Sequence, residues 1–289
     1  MSYLRPTSLE DALELRASNE VQVIAGATDA YPMKANADAW GQYQPGTILD
    51  ISALESLRGI EENDDHWRIG ALATWSDIIR ADLPASFDGL KLAAAEVGGV
   101  QIQNRGTLAG NICNASPAAD GVPPLLALNA GVEIASQTGT RQMPLSGFID
   151  AYRHISLGKD ELVTAILIPK LPENTHSHFL KLGARRYLVI SVVMASCVVV
   201  LDDDGLIAQA CIALGACSPV AVRLTHLEED IIGRTLDVSL GEVPTLSHLQ
   251  DISPIEDVRA SADYRLDGAL KLVREMLQQL GTSKRGRIA

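Results

Sequence analysis

The stretch Gln103-Asn104-Arg105-Gly106-Thr107-Leu108-Ala109-Gly110-Asn111-Ile112-Cys113-Asn114-Ala115-Ser116-Pro117-Ala118-Ala119-Asp120 is the most informative part of this chain. Across these eighteen positions, hydrogen-bond donors and backbone-permissive residues are dense and charged residues are scarce. Gly106 and Gly110 allow a close backbone approach or a positive φ. Thr107, Asn111, Asn114 and Ser116 can donate hydrogen bonds, and Asp120 can accept them. Ser116-Pro117 pairs a good N-cap with proline at the first helical position. That predicts a helix starting there, its N-terminus free to face an anion. A polar surface loop is the plain alternative. It fits poorly, because so few charges between apolar flanks imply a buried polar network that needs a partner.

A second stretch lies earlier, at Val23-Ile24-Ala25-Gly26-Ala27-Thr28-Asp29. An apolar strand runs directly into small residues, then a hydroxyl and a carboxylate. Small side chains let backbone N–H groups converge on an anion, and Thr28 adds a hydroxyl donor. Alone this is weak, since a strand followed by a glycine-containing turn is usually only a turn.

The whole chain sets the bounds. Its 289 residues suffice for one large domain or two to three modest ones, and 47% hydrophobic with 21% charged residues is ordinary for a globular protein. A net charge of −12 would repel a phosphate backbone, and only the short tail Lys284-Arg285-Gly286-Arg287 is basic. The four cysteines, Cys113, Cys197, Cys211 and Cys217, show no CxxC spacing, so neither a zinc nor an iron–sulfur site is readable. Met1 to Pro6 lacks the apolar core of a signal peptide. The longest apolar stretch, Leu188 to Leu201, is shorter than the roughly 18–20 residues that span a bilayer. A soluble, cytoplasmic protein is expected.

Around the two loops, Ser8 and Asp11 predict a capped first helix bearing Leu9, Ala12, Leu13 and Ala17. Strands are expected at Val21–Ile24, Thr47–Ile51, His66–Ile69, Val132–Ala135 and Leu162–Ile168. Thr74 with Asp77 predicts a helix start, and residues 89–97 read as helical. Leu188–Leu201 and Leu206–Leu214 read as strands joined at Asp202-Asp203-Asp204-Gly205. Leu266, Leu270, Val273, Leu277 and Leu280 form one face of a final helix. Helices and strands mix without regular alternation, so the class is α+β. Domains are expected over residues 1–58, 59–175 and 176–289.

Taken together, Ala25-Gly26-Ala27-Thr28-Asp29 and Thr107-Leu108-Ala109-Gly110-Asn111 resemble the two cofactor loops of the FAD-binding (medium) subunits of the xanthine dehydrogenase and carbon monoxide dehydrogenase family of molybdenum hydroxylases. The family patterns are close to A-G-G-T-D/S and T-I-G-G-N. Ala115-Ser116-Pro117-Ala118-Ala119-Asp120, Pro123-Pro124-Leu125-Leu126-Ala127-Leu128, Asp160-Glu161-Leu162-Val163, Ile168-Pro169 and Phe179-Leu180-Lys181 continue the likeness. It covers essentially the whole chain.

The resemblance implies an FAD fold of the vanillyl-alcohol-oxidase and p-cresol-methylhydroxylase type. Two α+β subdomains would be followed by a C-terminal α+β domain of the CO dehydrogenase flavoprotein kind. It further implies that Ile24, Ala25, Gly26, Ala27, Thr28 and Asp29 wrap the pyrophosphate of FAD through backbone amides. Thr107, Gly110, Asn111, Asn114 and Ser116 would hold the phosphate and ribityl side. Asp120 would contact the adenosine or ribityl portion, and Val163 and Lys181 would approach the flavin ring. Electrons would arrive from [2Fe–2S] clusters on a small partner subunit, after oxidation of substrate at a molybdopterin centre on a large one, and leave for an external acceptor. No catalytic residue and no metal ligand is assigned to this chain.

The sequence departs from the pattern in places. Ala27 replaces the second glycine of the first loop and Ala109 the first glycine of the second. The added methyl is tolerable wherever φ is negative. Many relatives carry an aspartate seven or eight residues beyond the lysine, tied to acceptor choice. Here those places hold Leu188 and Val189, leaving NAD⁺ unsupported as acceptor. Two other readings stand beside this one: a free-standing flavin oxidoreductase, which would need an acid–base pair of its own, and a non-catalytic nucleotide-binding or assembly module. Among lesser signals, His176 and His178 share a strand face and are expected at a solvated edge. Tyr187 follows Arg185-Arg186, either near the flavin or in ordinary packing, and Cys113 is expected to be a small buried residue.

Overall fold

Ser8 starts the first helix as expected, its Oγ accepting from the Asp11 amide at 3.1 Å, and the helix runs Leu9–Ser18. The computed structural model describes residues 2–32, 35 and 46–282, so the basic tail Lys284–Arg287 lies outside the described residues. Chain contacts divide the protein into two compact units. One comprises Met1–Ala81, Gly99–Ala115 and Ala130–Pro169, the other Asp82–Gly98, Ser116–Asn129 and Lys170–Ala289.

In the first unit, β1 (Tyr3–Leu4), β2 (Val21–Ile24) and β3 (Thr47–Asp50) form a parallel sheet in the order β1-β3-β2. Its second sheet contains β4 (Ile60–Glu62), β5 (His66–Gly70), β6 (Gly131–Ser136), β7 (Gly139–Pro144) and, after the small hairpin β8 (Ile149–Ala151) and β9 (His154–Ile155), β10 (Leu162–Pro169). The order is β4-β5-β10-β6-β7, antiparallel throughout. Strand β10 sits at the centre with Leu162 to Ile168 all buried, which is why its sequence is apolar except at Thr164, whose Oγ1 donates to Glu133 Oε1 at 2.8 Å. Polar β7 lies at the exposed edge and carries no apolar alternation. Thr74 closes a complete capping box with Asp77 over the Trp75–Arg80 helix.

The second unit is built on β11 (Thr175–Leu182), β12 (Val193–Leu201), β13 (Ile207–Gly215) and β14 (Val222–Arg223), antiparallel in that order. Asp202 turns the expected hairpin, its Oδ1 accepting from the amides of Asp204 (3.0 Å) and Leu206 (2.8 Å). Strand β12 begins five residues later than the apolar run suggested, because Leu188 sits at φ +53 and breaks the extended chain. Side chains alternate across β12. Val193, Ala195, Cys197 and Val199 face the Ala262–Thr282 helix, burying Ala269, Val273, Met276 and Leu277. Met194 faces the other way, with Phe179 and with Ala93 of the Asp88–Glu96 helix.

Backbone geometry separates the two alanines that replace family glycines. Ala27 has φ +59, left-handed territory that costs a side-chain-bearing residue roughly 1–2 kcal/mol. Ala109 lies inside the Leu108–Asn114 helix, buried, where a methyl is favourable. Opposite effects follow. Ala27→Gly should raise the urea midpoint of unfolding by the equivalent of about 1 kcal/mol, and Ala109→Gly should lower it by about as much. In the second unit, Leu277→Ala should cost about 3 kcal/mol in the same assay, since its side chain is fully buried between helix and sheet.

Candidate functional site

The two glycine-containing loops of the first unit meet backbone to backbone. A Cβ placed on Gly26 would lie 1.9 Å from the carbonyl oxygen of Arg105 and 3.0 Å from Cα of Gly106. A Cβ on Gly106 would lie 3.4 Å from Oγ1 of Thr28 and 3.3 Å from the Trp75 ring. Gly26 therefore has to be glycine for the loops to close on one another, whereas at Gly106 a side chain would be tight and its neighbours would have to give by a few tenths of an ångström. The first loop is fixed at its root by buried Ile24, whose carbonyl accepts from the Ile51 amide at 3.0 Å. Beyond it, the amides of Gly26, Ala27 and Thr28 have no acceptor among the described residues. Small residues, a left-handed Ala27 and N–H groups without acceptors among the described residues are the features from which backbone anion nests are built.

The second loop is stapled from behind. Trp75 N donates to Gly106 O (3.1 Å), Leu108 N to Ala73 O (3.1 Å) and Ser76 Oγ to Asn104 Oδ1 (2.6 Å). Thr107 caps a helix that the sequence reading missed: its Oγ1 accepts from Gly110 N at 3.0 Å and its carbonyl from Asn111 N at 3.0 Å. The helix ends at Ala115, φ +47. Asn114 Oδ1 accepts from Arg153 Nη1 at 3.3 Å. Cys113 is partly exposed as a residue, yet burial pushes its thiol up to about 12, so it is no thiolate at neutral pH. Asp29 is exposed, and Val163 is buried on β10 opposite Ile134.

Ser116–Asn129 belongs to the second unit, before the chain returns to the first. The helix expected at Ser116-Pro117 does not form. Ser116 Oγ accepts from Ala118 N (3.3 Å) within a turn, and the helix is Val122–Ala127. Pro123 and Pro124 explain the shift, because proline is tolerated in a helix's first turn and not in its interior. Asp120 and Lys181, assigned by the resemblance to different parts of the cofactor, pair with each other: Lys181 Nζ donates to Asp120 Oδ2 at 2.6 Å, the side chains 6% and 9% exposed. The ammonium also donates to the Glu96 carbonyl (3.3 Å), at the C-terminal end of the Asp88–Glu96 helix, where the dipole favours a cation. Burial pushes the Asp120 carboxyl up, against the lowering effects of Lys181 and of the Ser191 hydroxyl, which donates to Oδ1 at 2.5 Å.

Sequence reasoning missed the residues behind this pair. Ser191 is fully buried, and its carbonyl accepts from Arg259 Nη1 at 3.1 Å. Arg265 is also fully buried, with Nη1 donating to the carbonyls of Val192 (2.5 Å) and Ala216 (2.9 Å). Asp257 joins both arginines, at 2.9 Å from Arg259 Nε and 2.6 Å from Arg265 Nη2. Burial would raise its carboxyl, yet the two guanidiniums hold it well below the usual carboxylate range. The available signal was Arg265 itself, a charge beside Leu266 at the head of the apolar helix face.

Other expected features are peripheral. His178 is half-buried on edge strand β11 and hydrogen-bonds Gln279 at 3.0 Å, so that strand is covered by the last helix rather than solvated. Tyr187 is 61% exposed, with Arg186 5.3 Å over its ring, so it is not a packing residue. Among the described residues no three His, Cys, Asp or Glu side chains are grouped to hold a metal, and no helix is long and apolar enough to cross a membrane.

Comparison with known proteins agrees with this architecture. Residues 1–171 match the family described as FAD binding domain in molybdopterin dehydrogenase, and residues 178–280 match the CO dehydrogenase flavoprotein C-terminal domain. The chain is 30% identical to the xanthine dehydrogenase FAD-binding subunit of Escherichia coli O157:H7, over 99% of this chain and 98% of the relative. It is 32% identical to the nicotinate dehydrogenase FAD-subunit of Eubacterium barkeri, over 96% of each. Among solved structures, carbon monoxide dehydrogenase from Hydrogenophaga pseudoflava lacking the Mo-pyranopterin moiety superposes with a TM-score of 0.87 at 25% identity, covering 97% of this chain and 96% of that one. With well over half of its length in the first family and most of the remainder in the second, the chain belongs to the FAD-binding family of molybdopterin dehydrogenases.

Proposed function

We propose that this chain is the electron-transferring FAD subunit of a molybdenum hydroxylase complex of the xanthine and carbon monoxide dehydrogenase family. Its partners are a molybdopterin-binding large subunit and a [2Fe–2S] small subunit, and the complex works in the cytoplasm. Bound FAD accepts electrons singly and releases them in pairs, which suits a junction between iron–sulfur clusters and a two-electron acceptor. The observation that carries the reading is the closure of the Gly26 loop on the backbone of Arg105 and Gly106, with the amides of Gly26, Ala27 and Thr28 left free. A cradle this close-set, lined by amides rather than side chains, fits a pyrophosphate.

In this reading Ile24, Ala25, Gly26, Ala27, Thr28 and Asp29 hold the pyrophosphate, mainly through amides. Thr107, Gly110, Asn111 and Asn114 hold the phosphate and ribityl side, with Ser116 beside them. Asp120 contacts the adenosine or ribityl portion, keeping one lone pair on each carboxylate oxygen after its bonds to Ser191 and Lys181. Val163 and Lys181 approach the flavin ring. Lys181 has three N–H donors and two acceptors among the described residues, Asp120 and Glu96, so one donor remains for the cofactor. The sequence domains proposed are 1–58, 59–175 and 176–289.

Expression with its partner subunits tests the assignment. The assembled complex should release one FAD per copy of this chain on acid treatment, and substrate added without oxygen should bleach the flavin band near ~450 nm. The chain purified alone should oxidise no substrate. Substrate turnover by the isolated chain would favour a free-standing oxidoreductase. A complex that assembles without flavin would favour an assembly module.

A further inference from the structure

The polar cluster of the second unit contains more fixed groups than holding one lysine requires. Lys181, Asp120 and Ser191 form a short relay in which each oxygen of the carboxylate has one anchored donor: Ser191 Oγ on Oδ1 at 2.5 Å, Lys181 Nζ on Oδ2 at 2.6 Å. All three side chains are withdrawn from solvent, where charges act strongly on one another and added salt screens them little. The relay is held from behind through the main chain. Arg259 holds the carbonyl of Ser191 and Arg265 that of Val192, the next residue, while Asp257 ties the two guanidiniums together. A fully buried arginine carries a heavy desolvation cost, and here it is offset by bonds that fix the segment bearing Ser191. The main chain that carries Ser191 is thus fixed, and its hydroxyl donates to Asp120 Oδ1.

A lysine alone at this position would present a full positive charge. The structure presents a lysine whose charge is cancelled by Asp120, with the cancellation depending on how firmly the carboxylate is kept ionised. Burial works against ionisation, and the Ser191 hydroxyl works for it.

We propose that Ser191 is a positioning residue which, acting through Asp120, sets how much of the Lys181 charge is left uncancelled and thereby sets the reduction potential of the bound FAD. The inference rests on the reading above that Lys181 approaches the flavin ring. Its sign follows from electrostatics. Reduction adds negative charge to the ring, so a less cancelled cation stabilises the reduced form and raises the potential. Asp257, Arg259 and Arg265 contribute by keeping Ser191 in register.

The experiment uses the assembled complex in five forms: unaltered, Ser191→Ala, Asp120→Asn, the double variant, and Lys181→Met. FAD content is measured by acid release, and the FAD midpoint potential by anaerobic dye-mediated titration. Ser191→Ala should retain FAD and move the potential upward. Asp120→Asn should move it further the same way, Lys181→Met should move it downward, and the double variant should match Asp120→Asn alone. That last equality separates action through Asp120 from general loosening of the fold, which would add to the shift. Full FAD content with unmoved potentials, or additive shifts in the double variant, would overturn the inference and leave the cofactor assignment intact. If Ser191→Ala does not assemble, shifts of opposite sign in Asp120→Asn and Lys181→Met support the proposal, and shifts of the same sign overturn it. Absence of FAD from the unaltered complex would overturn the cofactor assignment and the inference with it.

Discussion

The contact between the backbone of Gly26 and that of Arg105 and Gly106 is the constraint on which the first unit's chemistry depends. Two segments some eighty residues apart in sequence are brought together with no side chain between them. Everything around the contact serves to keep it. The parallel pair β2 and β3 sets where the first loop leaves the sheet, and Ile24 anchors it there. The Thr74–Asp77 capping box and the hydrogen bonds at residues 73–76 hold the second loop from the far side. Packing two backbones this closely leaves main-chain amides as the groups presented to a ligand, and amides suit a doubly charged pyrophosphate because they carry partial positive charge without a counter-ion.

The second unit solves a different problem. Its core is an ordinary three-layer arrangement, with the Ala262–Thr282 helix on one side of β12 and the Asp88–Glu96 helix on the other. At one end of that core it buries charges instead of excluding them. Arg265 begins the apolar face of the last helix yet points its guanidinium to the carbonyls of Val192 and Ala216. Buried ion pairs are weak evidence for stability, and replacing them with apolar residues is often neutral or better. The lysine, two arginines and two aspartates gathered here therefore need not be there to stabilise the fold, which is consistent with the role proposed for them above.

Several parts of this structure were legible from sequence because a local rule dictated them. Thr74 and Asp77 announce a helix start through their own reciprocal bonds, Val21–Ile24 is a strand closed by small residues, and Leu162 to Ile168 is apolar at every position but Thr164 because both faces of a central strand are covered. The paired loops were legible as a pair, through their order and spacing. The misses had equally local causes. Gly110 and Asn111 are poor helix formers, so the helix capped by Thr107 showed no propensity signal. Strand β7 is polar at an exposed edge, and Leu188 breaks an apolar run that reads as continuous strand. The bond from Lys181 to Asp120 spans 61 residues and follows from no spacing rule. Nor could sequence alone distinguish the buried Arg265 from a surface arginine at the edge of an amphipathic helix.

The most direct test of the central claim is the dissociation constant of FAD for the Gly26→Ala variant, measured in the assembled complex beside the unaltered one after both are stripped of flavin. A methyl group at this position meets the Arg105 carbonyl and must push the two loops apart, at a cost on the order of 1–3 kcal/mol. FAD binding should weaken by about tenfold or more, with circular dichroism and subunit assembly unchanged. An unchanged dissociation constant in a folded, assembled variant would contradict it, and would mean that the closure of these two loops is not what holds the cofactor.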